Sequence, residues 1–510
     1  MNSHNLTIEL LKMRHHLKWI VLIFIVKLIL FVFFSFQFYK NHPKDSITGK
    51  IFISVGETPT YYKSIENLAD GNGYGWQQVA EKEGTIKYLP STRRVPGILP
   101  FYYPLYKILG KETARVGIIL IQFLFGVASI YMLALISLNV FQSKAAYYLT
   151  LGIYSISSFV SIFDHIGLAE SFSTSFAIFA IFFLLMGLKK QQKYFIILSG
   201  LFICWSIFLR PAVGVFFPVM LLFYLWFNTK NHFTYGNTFK GLIILSMPLA
   251  LTVSAWTVRN YHVTGQFIPL EDDIFKSMPD LYNPRVKAIR TLIGAWGGEF
   301  ARWEKNSEGE WFFNKELDSD NHNVYNSRHF TSYYNLDSLI KLREIYWNSE
   351  NPTLSETERE GYKIRTVETA LLYTENYIKE KPLHYYVISP IILTVKFLFI
   401  KTTNYLPFPA LCDMSLYHKI IKIFYILLYN LIMILGIAGI IISIFSKKMD
   451  LIIIILFPAF YIIVMSVIFK ATEERYLVSL YPFLVLFSCF SINRIFKLNF
   501  VRKFIPAHFT

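Results

Sequence analysis

Cysteine and charge are both scarce in this chain. Three cysteines, Cys204, Cys412 and Cys489, occur in 510 residues. None belongs to a CxxC or a Cys/His cluster, so neither a disulfide framework nor a zinc site is expected. Cys204 and Cys489 sit inside apolar runs and read as small packing residues. Charged residues make up 16% of the sequence, against about 25% in a soluble domain. Hydrophobic residues make up 54% and aromatics 18%. A soluble fold could not cover that much apolar surface, whereas a bilayer solvates it. The net charge of +16 has no basic stripe interleaved with stacking aromatics, so no nucleic acid partner is expected. There is also no internal repeat and no low-complexity tract.

What is present is a series of apolar runs long enough to span a bilayer, which takes about 20 residues. They fall at 19–39, 114–139, 145–163, 167–188, 194–209, 212–228, 239–258, 420–445, 451–469 and 476–493. The first is too long for a signal-peptide core and reads as a retained helix. Segment 385–401 reads as re-entrant or interfacial. Lys and Arg gather in alternate short loops: Arg14 and Lys18, Lys144, Lys189 to Lys193, Lys230 and Lys240, Lys447 and Lys448, then Arg494, Lys497, Arg502 and Lys503. Placing these inside puts both termini in the cytoplasm and leaves two long polar segments outside, about 40–112 and 260–384. The fold class expected is an all-α integral membrane bundle of about 10–12 helices. Its parts are an N-terminal catalytic module over 1–258, an extracytoplasmic loop domain over 259–384 and C-terminal spans over 385–510.

Local signals add detail. Thr58-Pro59 starts a helix, with Tyr62, Ile65 and Leu68 on one face and Gly71 at its end. It reads as an amphipathic helix on the outer membrane surface. Gly71-Asn72-Gly73-Tyr74-Gly75 reads as a loop. Ser355 and Glu358 form a capping box for a helix that Pro382 stops.

Ionisable residues then cluster. Glu57, Arg93, Arg94, Asp164, His165, Glu170, Arg210, Arg259, Glu473, Glu474 and Arg475 all fall at outer helix ends or in outer loops. Intramembrane charge is expensive and by default functional. Taken singly, each has a plainer reading: Asp164 and His165 cap a turn, Arg210 and Arg259 snorkel, and 473–475 is an exposed loop. Lys27, in mid-span, reads as facing the bundle or a lipid phosphate and is not assigned to the site. Taken together, carboxylates and guanidiniums at one membrane face suit glycosyl transfer from a lipid phosphate. That chemistry needs a base for the acceptor hydroxyl and cations for the departing phosphate.

At these residues the sequence resembles the GT-C glycosyltransferases, in their protein-mannosyltransferase and aminoarabinose-transferase-like branch. The matching stretches are Gly56-Glu57-Thr58-Pro59-Thr60-Tyr61-Tyr62, Arg94-Val95-Pro96-Gly97-Ile98-Leu99-Pro100, Asp164-His165-Ile166-Gly167-Leu168-Ala169-Glu170, Leu209-Arg210-Pro211, Trp256-Thr257-Val258-Arg259-Asn260-Tyr261 and Glu473-Glu474-Arg475-Tyr476-Leu477. The resemblance implies a GT-C bundle, a polyprenyl-phosphate sugar donor and a glycan, lipid or protein acceptor. It places Glu57, Asp164 and Glu170 as catalytic, and Arg94, Arg210, Arg259 and Arg475 on the donor phosphate. His165, Glu474, Arg93 and Tyr61 stand nearby. Two departures are visible. Glu57 stands where the family carries aspartate, and Arg93-Arg94 replaces a Glu-Lys pair, which removes an acidic zinc ligand. No nucleotide cofactor is implied, and a divalent cation, Mg2+ or Mn2+, held by Glu57 and Asp164 is left open. The expected site faces outward from the cytoplasmic membrane and performs inverting transfer in cell-envelope glycan synthesis. The rival readings are a lipid-linked saccharide flippase and a polysaccharide polymerase or ligase.

Overall fold

The computed structural model describes residues 13–41, 51–55, 57–79, 86–271, 284–300, 306–317, 327–399, 406–409, 412–446, 449–470 and 473–496. Gly56, Lys447, Lys448, Lys497, Arg502, Lys503 and the side chain of Glu474 lie outside the described residues. The chain forms two compact units: 1–272 with 401–461 and 475–510, and 273–400 with 462–474.

The first unit is a helical membrane bundle. Its elements run α1 (Met13–Asn41), α2 (Thr58–Ala69), a hairpin of β1 (Gly75–Val79) and β2 (Ile86–Pro90), α3 (Leu99–Leu109), α4 (Lys111–Phe141), α5 (Lys144–Ile156), α6 (Ser158–Phe163), α7 (Glu170–Lys190), α8 (Lys193–Leu209), a 3-10 turn at Pro211–Val215, α9 (Phe216–Lys230) and α10 (Tyr235–Thr264). Among the described residues, seven helices are long and apolar enough to cross a membrane, α8 being a shorter apolar helix of Lys193–Leu209. The centre is α7, whose 170–188 stretch is buried almost throughout.

The breaks in these helices have local causes. Arg210 is extended (φ −153°, ψ 104°) because Pro211 follows it and excludes the α region. The span expected over 145–163 is two helices. Ser157 is extended between α5 and α6 (φ −64°, ψ 115°), and the break is held by a bond from Ser157 Oγ to Tyr481 Oη of 2.9 Å. Apolar composition alone carries no signal for such a side-chain partner.

The helix expected at Thr58 is present, with Pro59 in its first turn and Gly71 at φ +90° just past its end. It does not lie on the membrane surface. Tyr61, Tyr62, Ile65 and even Glu66 are buried, because Glu66 receives Arg115 at 2.9 Å, Lys111 at 2.8 Å and Tyr102 Oη at 3.0 Å. An apolar stripe therefore read as a lipid-facing surface when it faces protein. The glycine-rich loop leads into a hairpin, Gly75 pairing with Pro90 and Val79 with Ile86, which the sequence reading did not foresee.

The second unit contains α11 (Pro284–Trp296), α12 (Glu308–Phe313), α13 (Leu336–Asn348), α14 (Glu356–Glu380), a π turn (His384–Ile388) and α15 (Ser389–Phe399). Trp296, Trp311, Phe312, Leu339, Leu342 and Tyr377 form its core. The Ser355–Glu358 capping box starts α14, with reciprocal bonds of 2.9 and 3.3 Å. The chain then turns by 102° into 384–399, which is well short of the roughly 20 residues a span needs. Such a bend fits a broken span as well as the re-entrant or interfacial segment expected over 385–401. Later elements are α16 (Leu416–Phe445), α17 (Met449–Ile463), a π turn (Val464–Ile468) and α18 (Glu474–Phe496).

Candidate active site

Two glycines bring separate chain segments to one end of the first unit. Gly97 lies so close to the end of α8 that a Cβ there would stand 2.1 Å from the Phe208 carbonyl oxygen. This couples the Arg94 stretch to Arg210. Gly167 lies against Phe52 and Thr58, and a Cβ there would meet Phe52 Cζ at 2.3 Å. This couples the 164–170 turn to the start of α2. A short parallel bridge of Ile53 with Ile166 reinforces it: Ile53 N–H donates to the His165 carbonyl at 3.1 Å and Gly167 N–H to the Ile53 carbonyl at 2.9 Å. Gly97→Ala is expected to force the chain away from α8 and cost about 1–3 kcal/mol as an overpacked contact. A drop in the thermal midpoint of the purified protein, with loss of activity, checks it; an unchanged midpoint sinks it.

These couplings assemble a charged cluster. Glu57, about a quarter exposed, takes Arg94 Nη2 at 2.7 Å and an Arg475 Nη1 bond on the same oxygen. Burial alone would raise its carboxyl pKa, but Arg475 and then Arg94 outweigh it and hold the value down to about 2. Arg94 also donates from Nε to Thr60 Oγ1 at 3.1 Å, stacks over Tyr61 at 4.7 Å, and reaches Glu271 Oε2 at 3.4 Å. Glu271 was absent from the sequence reading. It is about a fifth exposed, and burial pushes its carboxyl upward against a partial offset from Arg94. It belongs to no motif, and its only sequence signal is a carboxylate soon after α10. Trp256 Nε1 fixes the backbone beside it, donating to the Leu270 carbonyl at 2.7 Å.

Behind this cluster Glu170 and Arg210 form a buried ion pair, and Arg210 stacks on Tyr476 at 4.5 Å. Asp164, by contrast, belongs to a separate buried group. Lys27 Nζ lies 2.5 Å from its Oδ2, and Ser171 Oγ donates to its Oδ1. Lys27 is therefore the partner that the sequence reading passed over. His165 is fully buried, with Phe31 stacked on it at 4.1 Å; burial pushes its pKa down to about 3.

Arg259, expected on the donor phosphate, and Arg93, expected nearby, have other work. Arg259 Nη1 donates to the Ser91 carbonyl at 2.6 Å and Nη2 to the Tyr74 carbonyl at 3.1 Å, with Trp256 under it at 4.8 Å. It is a strut between α10 and the base of the hairpin. Arg93 is buried and stacks over Trp76 at 5.5 Å. The side chain of Glu473 is partly exposed.

The divalent cation expected between Glu57 and Asp164 does not fit these residues. Glu57 is held by two guanidiniums and Asp164 by an ammonium and a hydroxyl, so each carboxylate already has its cation. Among the described residues, no group of three or more His, Cys, Asp or Glu side chains could hold a metal.

An apolar groove of about 400 Å³ is lined by Pro96, Gly97, Pro100, Trp205, Phe208 and Trp256 among others, beginning two residues beyond Arg94 in the chain. Trp205 Nε1 donates to the Gly97 carbonyl at 3.0 Å, which fixes the wall just beyond Arg94-Val95.

Residues 101–256 match the family model for dolichyl-phosphate-mannose-protein mannosyltransferase. This stretch includes Asp164, Glu170 and Arg210, and the resemblance read from the motifs is met there. No curated protein matches the chain as a sequence relative. Among solved structures, the archaeal oligosaccharyltransferase AglB from Archaeoglobus fulgidus, in complex with an inhibitory peptide and a dolichol-phosphate, is similar at 13% identity and TM-score 0.48, over 96% of this chain and 51% of that one. The chain thus spans about half the length of that relative. ArnT from Cupriavidus metallidurans, bound to undecaprenyl phosphate, is similar at 12% identity and TM-score 0.34, over 94% of this chain and 78% of that one.

Proposed function

We propose that this protein is a membrane glycosyltransferase that moves a sugar from a polyprenyl-phosphate donor to an acceptor on the extracytoplasmic side of the cell membrane. The observation that carries this reading is a carboxylate shared by two guanidiniums, with an apolar groove whose lining starts at Pro96, two residues beyond Arg94 in the chain. A prenyl chain suits the groove, whose walls are aromatic and aliphatic. A phosphate suits Arg94 and Arg475, since a guanidinium carries five N–H donors and can serve a second anion while it keeps its bond to Glu57. The growing negative charge on the departing phosphate is then met by groups already in place, where little reorganisation is needed.

The roles divide by charge state. Glu57, held down to about 2, is too weak a base to take a hydroxyl proton efficiently near neutral pH. Its task is to hold Arg94 and Arg475 in position. Glu271, with its raised carboxyl, is the better proton acceptor. Glu170 and Arg210 form the floor, with Tyr61 packed between α2 and Arg94. Attack by the acceptor opposite the phosphate inverts the anomeric centre.

The test is reconstitution in vesicles with a panel of polyprenyl-phosphate sugars, measuring release of polyprenyl phosphate and the anomeric configuration of the product. Absence of release with every sugar, while the folded protein is intact, ends the reading. Because both carboxylates carry side-chain cations, excess EDTA is expected to leave the rate within about twofold of its value with Mg2+ or Mn2+. A rate abolished by chelation and restored by either ion would contradict the geometry.

A further inference from the structure

Lys27 sits in the middle of α1, where a buried ammonium is costly without a partner. It is 2% exposed and Asp164 1%. Its Nζ contacts Asp164 Oδ2 at 2.5 Å and donates to Ser161 Oγ at 2.8 Å. Asp164 also receives Ser171 Oγ, and Gly126 of α4 approaches so closely that a Cβ would stand 3.3 Å from Oδ1. Asp164 is therefore enclosed. Ser161 belongs to α6 and Ser171 to the first turn of α7, so one ammonium ties α1 to both sides of the 164–170 turn.

The same face of α1 grips that turn further along. Phe31 stacks on His165 and Ser35 Oγ lies 3.2 Å from His165 Nδ1. Lys27, Phe31 and Ser35 recur at the four-residue spacing that puts side chains on one helix face. What the turn carries is functional: Glu170 at one end, and in between the His165 carbonyl and Gly167 N–H that bond Ile53 ahead of Glu57.

We propose that Lys27 is a positioning residue: it acts through Asp164 to hold the 164–170 turn, and so keeps Glu170–Arg210 and the Glu57 segment in register. Asp164 then serves as the anchor of this turn and does not touch the sugar. The inference rests on the transferase reading above.

The test compares Lys27→Met, Lys27→Arg, Asp164→Asn and the Lys27→Met/Asp164→Asn double variant in the full-length protein. The readouts are thermal midpoint and steady-state kinetics, with whichever polyprenyl-phosphate sugar the wild type turns over. Lys27→Met is expected to lower kcat about 30-fold with donor KM within about threefold, the signature of misplaced groups rather than lost binding. Lys27→Arg recovers most of the loss. Lys27→Met alone leaves a buried carboxylate unpaired and lowers the midpoint, whereas the neutral double variant restores it while kcat stays about tenfold down. Full kcat in Lys27→Met with an inactive Asp164→Asn overturns the proposal, since Asp164 would then act on substrate directly. Wild-type kcat in the double variant also overturns it. If the wild type transfers no sugar, the transferase reading fails, and the midpoints still decide the pair: strong non-additivity supports it and additive effects end it.

Discussion

Glu57→Gln lowers sugar transfer by about 1,000-fold while leaving the protein folded. The amide keeps the shape and one acceptor oxygen, so the packing of α2 is retained. What disappears is the negative charge that Arg475 and Arg94 share, with Arg210 also close enough to bias it. Removing one member of a desolvated charge group costs about 3–5 kcal/mol. Little of that falls on the ground state, because the substrate phosphate supplies a new counter-charge. The rest falls on the transition state, where misdirected guanidiniums cannot follow the leaving phosphate, and about 4 kcal/mol there is roughly 1,000-fold in rate. The pH dependence separates this from a base role. Glu57 has a folded pKa below its ordinary value, so its stabilising contribution is complete above about 4.5 and is lost as pH falls toward about 2. In the Gln variant that acid-induced loss of midpoint disappears. Turnover within tenfold of wild type, at matched folded protein, would falsify the assignment of Glu57 as anchor.

Much of this arrangement was legible in the residues, and the limits have physical reasons. Apolar runs gave the bundle, because the requirement to satisfy every backbone group in hydrocarbon leaves little choice but helices. The Ser355 capping box and Thr58-Pro59 were legible because they act within a few residues of the chain. Arg94, Arg210 and Arg475 could be grouped with Glu57 because each falls at a helix end or in a loop on the same expected face. Asp164 was separated from Glu57 by a partner, Lys27, more than a hundred positions away in sequence, and no local pattern encodes such a pair. Arg259 and Arg93 had the right charge in the right stretch, yet the hairpin that claims Arg259 was itself unread. The break at Ser157 depends on Tyr481, again a distant hydroxyl. Long-range polar partners are thus where sequence reasoning stopped, and here they decide which charges remain available for substrate.

Glu271→Gln is the sharper test of how the acceptor is activated. Arg94 bridges two carboxylates whose surroundings push them apart: Glu57 is held low by two guanidiniums, whereas Glu271 meets one guanidinium at longer range and is raised by burial. A pair separated in this way assigns its own roles, the low member staying a fixed charge and the higher one exchanging a proton. A general base works only in its ionised form, so kcat should fall as pH drops through the Glu271 pKa, and that limb should lie above the position of an ordinary glutamate. The groups that set it are Arg94, Arg210 and Glu57, with the Val95 backbone also bonded to the carboxylate. In Glu271→Gln the limb vanishes and kcat drops about 100- to 1,000-fold, within the range for loss of a positioned base, while donor KM changes little. Retention of the acid limb in the Gln variant would move the proton transfer to another group, and an unchanged kcat would leave Glu271 as no more than a second counter-charge to Arg94.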